Sequence, residues 1–314
     1  MISRSWLISV GAIAMLMLLL PYAVSSYYLG LASKILIFAL FAMSLDLLLG
    51  YSGLASLGHA AFFGVSAYTV GLLTLRAGAS AWLALTTGLL AAGVTGALFG
   101  LLALRTRGSY FLMITLALAQ VLWGIASGWR SMTGGDDGLP NIPRPDLGLP
   151  WSLADTTPFY YFVLLIVAAA AAILARIVRS PFGYALRGIR ESESRMSALG
   201  YNVWRYKYVA FVLGGLFAGL AGCLYVYLNR FVSPDYVHVV RSAEVLLMVI
   251  LGGAGTLVGP AIGAGLIILF ENVVSTYTER WLMALGVVYV LVTLFAPRGI
   301  VGLVQEYWRR KSAS

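Results

Sequence analysis

Gly50-Tyr51-Ser52-Gly53-Leu54-Ala55-Ser56-Leu57-Gly58-His59 interrupts an apolar region that runs from Ile35 to Leu75 with Asp46 as its sole charge. Glycine at this density breaks a helix, so the region reads as two helical segments joined at a break within the membrane or at its inner edge. A second region, Val245 to Ser275, repeats the arrangement with Gly252-Gly253-Ala254-Gly255, then Gly259-Pro260 and Gly263. It too reads as a broken pair.

Around these two regions lie further uncharged runs: Ser5–Ser33, Ala77–Leu104, Gly108–Trp129, Thr156–Ala175, Tyr208–Asn229 and Trp281–Pro297. Most reach the ~18 residues a helix needs to cross hydrocarbon. None alternates apolar and polar residues as a transmembrane β-barrel strand does. Composition agrees: of 314 residues, 61% are hydrophobic and 11% charged, against about 25% charged in a soluble domain. The mean hydropathy is +0.90. A soluble enzyme, a disordered chain and a disulfide-stapled secreted domain are excluded. The expected fold is all-α: one polytopic membrane domain over residues 1–314, with about ten membrane segments and both termini cytoplasmic. The first run, with Arg4 ahead of it and Ala23-Val24-Ser25 behind, also has the outline of a cleavable signal peptide; its length favours a retained helix.

Orientation follows from the basic residues. With the N-terminus inside, Arg4, Arg105, Arg107, the stretch Arg176 to Lys207, and Arg298, Arg309, Arg310 and Lys311 share the inner face. The net charge of +9 is then a topology signal and not a sign of nucleic acid. The lone Cys223 permits no intrachain disulfide.

Three polar segments remain. Residues 130–157, with Gly134-Gly135-Asp136-Asp137-Gly138, form an extracytoplasmic turn region without the ligand pattern of a calcium loop. Residues 176–207 form a cytoplasmic loop in which Pro181 and Gly183 end one helix, and Tyr184–Gly200 supplies one or two short amphipathic ones. Such helices lie on lipid or enter a groove on a partner protein; a basic loop that only sets topology is the bland reading. Arg230–Glu244 reads as an outer connector.

Asp46, His59 and Glu271 are ionisable groups at membrane depth and are functional candidates on that ground. Each also has a structural account: Asp46 and His59 flank the break and bond freed backbone groups, while Glu271 snorkels from a helix end. Catalytic machinery is not legible. Lys34, Lys207 and Lys311 are the lysines and none follows glycine, so a Walker A loop is absent. No His-Glu-x-x-His or Gly-x-Ser-x-Gly occurs, and no metal site is assigned.

Five blocks in order resemble the LivM-type permeases of bacterial branched-chain amino acid ABC importers. They are Gly50-Tyr51-Ser52-Gly53 running into Ser56-Leu57-Gly58-His59-Ala60-Ala61-Phe62-Phe63-Gly64; Thr133-Gly134-Gly135 with Asp137-Gly138-Leu139; and Ser180-Pro181-Phe182-Gly183 with Ile189-Arg190-Glu191. Ala198-Leu199-Gly200 with Gly219-Leu220-Ala221-Gly222, and Gly252-Gly253 with Gly255-Thr256 and Gly259-Pro260, complete the set.

The resemblance implies a transport subunit of the bacterial inner membrane, not an enzyme, working by alternating access. It implies a second permease of the LivH type, two ATPase subunits that bind the ATP, and an extracytoplasmic binding protein. The chain itself would need no cofactor. Glu191–Gly200 maps onto the helix that couples to an ATPase, giving Gly183, Arg187, Arg190, Glu191, Glu193, Ala198, Leu199 and Gly200 as coupling residues. Ser194-Arg195-Met196-Ser197 departs there from the family's usual small, Ala-rich stretch. For the substrate path the candidates are Ser52, Gly53, Ser56, Gly58, His59, Gly252, Gly253 and Gly255. Rival readings are a permease for urea, short amides or another small carboxylate, and a proton-coupled carrier using Asp46, His59 and Glu271.

Overall fold

The computed structural model describes residues 15–146, 148, 152–278, 280–295, 299, 300 and 302. Arg4, the start of the first run, and the basic residues Arg298, Arg309, Arg310 and Lys311 lie outside them. Helical residues 15–23 lead into α1 (Ser26–Asp46), which widens into a π-helical turn at Leu47–Tyr51. Then come α2 (His59–Arg76), α3 (Ala81–Ala103), α4 (Ser109–Gly128) and α5 (Thr156–Arg179). Two short helices follow, α6 (Pro181–Glu191) and α7 (Glu193–Ala198). The chain continues with α8 (Val203–Asn229), α9 (Val239–Gly252), α10 (Val258–Tyr277) and α11 (Trp281–Phe295). Among the described residues the one strand-like feature is an isolated antiparallel bridge between Leu139 and Val232.

Six helical segments of the described residues are long and apolar enough to cross a membrane: Ser26–Tyr51, Ala81–Ala103, Ser109–Gly128, Thr156–Arg179, Val203–Asn229 and Val258–Tyr277. The apolar stretches of α1 and α8 are buried along most of their length, as helices at the centre of a bundle are. α8 packs on α1, α2 and α3; α1 also meets α5, α9 and α10. The outer helices turn Leu90, Val94 and Leu98 of α3, Met113 and Val121 of α4, and Leu165 of α5 away from the protein. Apolar side chains on an outward face suit lipid, not water.

Close approach rests on small residues. A Cβ on Gly222 of α8 would fall 2.1 Å from the Phe63 carbonyl oxygen of α2, and one on Gly263 of α10 would fall 2.0 Å from that of Met248 in α9. Backbones therefore touch at these crossings, as in membrane helix pairs generally. An aromatic cluster fills the space between α1, α2 and α8, with Phe41 and Phe63 ring centres 4.6 Å apart and Phe38 and Tyr225 5.2 Å apart.

The bundle has two distinct ends. At one, Arg76 Nη2 donates to the Ser131 and Met132 carbonyls (2.5 and 2.7 Å), and Leu139 and Ile142 pair with Val232 and Arg230. The other end gathers residues 52–58, the α3–α4 turn, α6, α7 and the α9–α10 turn. Ser180 ends α5 in extended backbone and Pro181 opens α6, where its missing N–H costs nothing.

Candidate functional site

The two glycine-rich stretches meet. Asp46, fully buried in the last turn of α1, accepts hydrogen bonds from the Gly255 N–H (2.6 Å) and the Leu257 N–H (3.1 Å) of the turn between α9 and α10. That turn needs unusual backbone: Gly253, Gly255 and Leu257 have φ of 109°, 86° and 59°. Leu257 is a left-handed residue with a side chain, a strained conformation that the carboxylate holds from outside the turn. Gly50 makes the approach possible, because a Cβ there would lie 2.1 Å from Asp46 Oδ1 and 2.2 Å from the Gly255 nitrogen.

α6 closes over this junction. The Arg190 guanidinium donates to the Gly50 carbonyl oxygen, and the Arg190 stem lies against Gly53, whose φ of 72° suits glycine alone. Arg187 sits 4.9 Å from the Tyr51 ring centre, a cation–π contact. Glu191 joins Gly50, Arg187, Arg190, Ala254 and Gly255 around a cleft of about 150 Å³. One arginine-bearing helix thus touches both glycine-rich turns at once.

The remaining path candidates face inward in this conformation. Ser52 donates to the Leu48 carbonyl (2.7 Å), and Ser56 accepts from the Gly58 N–H (3.2 Å). His59 is fully buried, with Nε2 2.8 Å from Ser44 Oγ and its ring stacked 5.5 Å from Phe41. Gly58 lies against the Thr115 carbonyl of α4, and Gly252 against that of Gly259. Asp46, Gly50, Gly53 and Gly255 therefore form one cluster with Arg190, while Ser52, Ser56, His59 and Gly252 have their contacts elsewhere.

The other coupling candidates divide likewise. Gly183 fits tightly beneath the Val178 carbonyl at the α5–α6 corner. Glu193 pairs with Lys207, tying α7 to α8. α7 has no buried residue, Leu199 after it is 72% exposed, and Gly200 (φ 87°) turns the chain away.

Arg230–Glu244 is more than a connector. α9 begins at Val239, and Ser242 accepts a hydrogen bond from the Ala60 N–H (2.9 Å), which sets it beside the start of α2. Arg241 pairs with Glu244 (2.8 Å) and lies 5.5 Å from the Phe38 ring centre of α1. A second pair, Lys34 with Glu271 (2.9 Å), bridges α1 and α10. Reading charges as boundary markers hid Arg241 and Glu244; their opposite signs at i,i+3 were the available signal. Among the described residues, no group of three His, Cys, Asp or Glu side chains gathers where it could hold a metal ion.

A bundle of lipid-compatible helices, with its interior charges paired or bonded to backbone, defines a multi-pass membrane protein. Residues 27–296 match the family described as branched-chain amino acid transport system / permease component, and the chain belongs to that family. It is 29% identical to the high-affinity branched-chain amino acid transport system permease protein LivM of Escherichia coli K12, over 94% of this chain and 74% of that protein. It is 30% identical to LivH of the same organism over 39% of this chain and 40% of LivH. Similarity to the guanosine ABC transporter permease protein NupQ of Bacillus subtilis, at 28%, covers 32% of this chain and 30% of that one. No solved structure matches the chain.

Proposed function

We propose that this chain is the LivM-like membrane subunit of an ATP-driven importer for branched-chain amino acids in the bacterial inner membrane. The observation that carries the reading is the family match along residues 27–296. The similarity to NupQ reaches about a third of the chain, so it argues for the transporter class and not for a nucleoside substrate.

In this account α6 and α7, within the cytoplasmic loop 176–207, receive the movement of two separate ATPase subunits, which bind the ATP. Exposed α7 and Leu199 offer the contact, and Arg187 and Arg190 carry its motion to Tyr51, Gly50 and Gly255. The end of the bundle where Arg76 meets Ser131 and Met132 faces the opposite side, where a binding protein delivers the amino acid. A LivH-type permease completes the membrane pair.

The short helices α2, α9 and α11 count as membrane segments beside the six long ones, and with the N-terminal run they make ten. The bond from His59 to Ser44 and the contact of Arg241 with the Phe38 ring support this, since they set the starts of α2 and α9 against α1. The test is affinity purification of the chain from its native membrane. The account expects a second permease and two ATPases to co-purify. A chain that is transport-active without them would contradict it.

A further inference from the structure

A groove of about 550 Å³ runs beside the first break, lined by Leu57, Leu112, Leu246, Leu247, Leu285 and Glu244 among others. It draws on residues 55–57, α4, α9 and α11, and its walls are mostly aliphatic, with Glu244 and Tyr289 as the polar side chains. The volume falls in the range of small-molecule sites, where apolar walls surround a few polar anchors. Glu244 is itself 7% exposed, and Arg241 bonds its Oε2 at 2.8 Å.

We propose that this groove holds an aliphatic α-amino acid in transit, with the ammonium on Glu244 and the side chain against Leu57, Leu112 and Leu247; the inference rests on the function proposed above and deepens it. A lone carboxylate at this depth would select a cation. An arginine–glutamate pair is neutral as a unit, and its complement is a ligand that also carries one charge of each sign. A zwitterion entering beside the pair adds no net charge to a low-dielectric region, whereas a free cation or anion would. Its ammonium meets Glu244, Tyr289 is the other polar side chain on the wall, and the aliphatic tail lies against the leucines. A lipid acyl chain would fit the same walls but gives the buried ion pair nothing to bind.

Leucine uptake into proteoliposomes holding the full complex, fed by the leucine-loaded binding protein, tests this. Failure of the wild-type complex to take up leucine with ATP would defeat the proposed function and the groove together. With that uptake in place, Glu244→Gln is expected to lower leucine uptake per ATP hydrolysed by at least about tenfold, and Glu244→Asp to restore part of it. Leu112→Trp, which fills the groove from α4 without touching the ion pair, is expected to cut uptake comparably; it decides alone if Glu244→Gln does not assemble. Wild-type uptake by either assembled variant would overturn the groove while leaving the proposed function standing. It would mean that lipid or the second permease occupies the space.

Discussion

Asp46 and Gly255 are 209 residues apart, yet the Asp46 carboxylate accepts the Gly255 N–H at 2.6 Å. This bond and its neighbour at Leu257 fasten the end of α1 to the turn between α9 and α10. An acid buried among helices is retained here by two backbone donors that would otherwise lack partners, and it needs no proton-carrying role to explain its position.

Asp46→Asn keeps the shape but offers one carbonyl oxygen and an NH₂ group to two N–H donors. Losing a charge-assisted acceptor in a buried site costs about 2 kcal/mol. The expected result is a lower thermal unfolding midpoint in detergent, measured by tryptophan fluorescence, with the chain still inserted. An unchanged midpoint would show that the carboxylate does not hold the turn.

Glycine at position 50 is required by contact and not by backbone angle. Gly50→Ala would force a Cβ to within 2.1 Å of Asp46 Oδ1, so the turns must separate. The expected cost is about 3 kcal/mol or more, seen as loss of monodisperse protein on gel filtration. Gly124→Ala in α4 is the matched control: nothing lies within 4 Å of its Cβ, and a gain of roughly 0.5–1 kcal/mol is expected.

Much of this was legible before any coordinates. The apolar runs marked the long helices, and Pro181 and Gly183 marked the α5–α6 corner. The partner of Asp46 was not legible. The residues said that it could bond freed backbone groups, but those groups belong to the other glycine-rich turn, and nothing local links Asp46 with Gly255. Arg241 and Glu244 were hidden for a related reason. α9 is only 14 residues long, so a hydropathy reading takes its charged first turns for a surface connector. Their burial shows in the bond between Ser242 and the Ala60 N–H and in the contact of Arg241 with the Phe38 ring. His59 could have been read either as a ligand or as a packed ring, and its stacking on Phe41 depends on how α1 and α2 face each other.

Arg190 tests the link from α6 to the break. Arg190→Ala removes the donor to the Gly50 carbonyl, and Arg190→Lys keeps the charge without the planar fork. Coupling energies between sites are typically worth about 5–150-fold. Uptake per ATP hydrolysed is expected to fall about tenfold in Arg190→Ala and less in Arg190→Lys. Equal, wild-type ratios in both would remove Arg190 from the coupling route.

The Lys34–Glu271 pair separates structure from proton transfer. Both side chains are about a quarter exposed, at 24% and 23%. A double-mutant cycle with Lys34→Met and Glu271→Gln should return a coupling energy of about 1 kcal/mol in unfolding measurements. Leucine uptake should persist in Glu271→Gln. Complete loss of uptake in a stable Glu271→Gln protein would favour a proton relay instead.

The central claim is that transport through this chain is powered by ATP hydrolysed elsewhere in the complex. Radiolabelled leucine uptake into proteoliposomes measures it most directly, comparing the full complex with ATP trapped at the ATPase side against this chain alone under an imposed pH gradient. The account predicts accumulation in the first case and none above empty vesicles in the second. Gradient-driven accumulation by the chain alone, with no response to ATP in the complex, would contradict it.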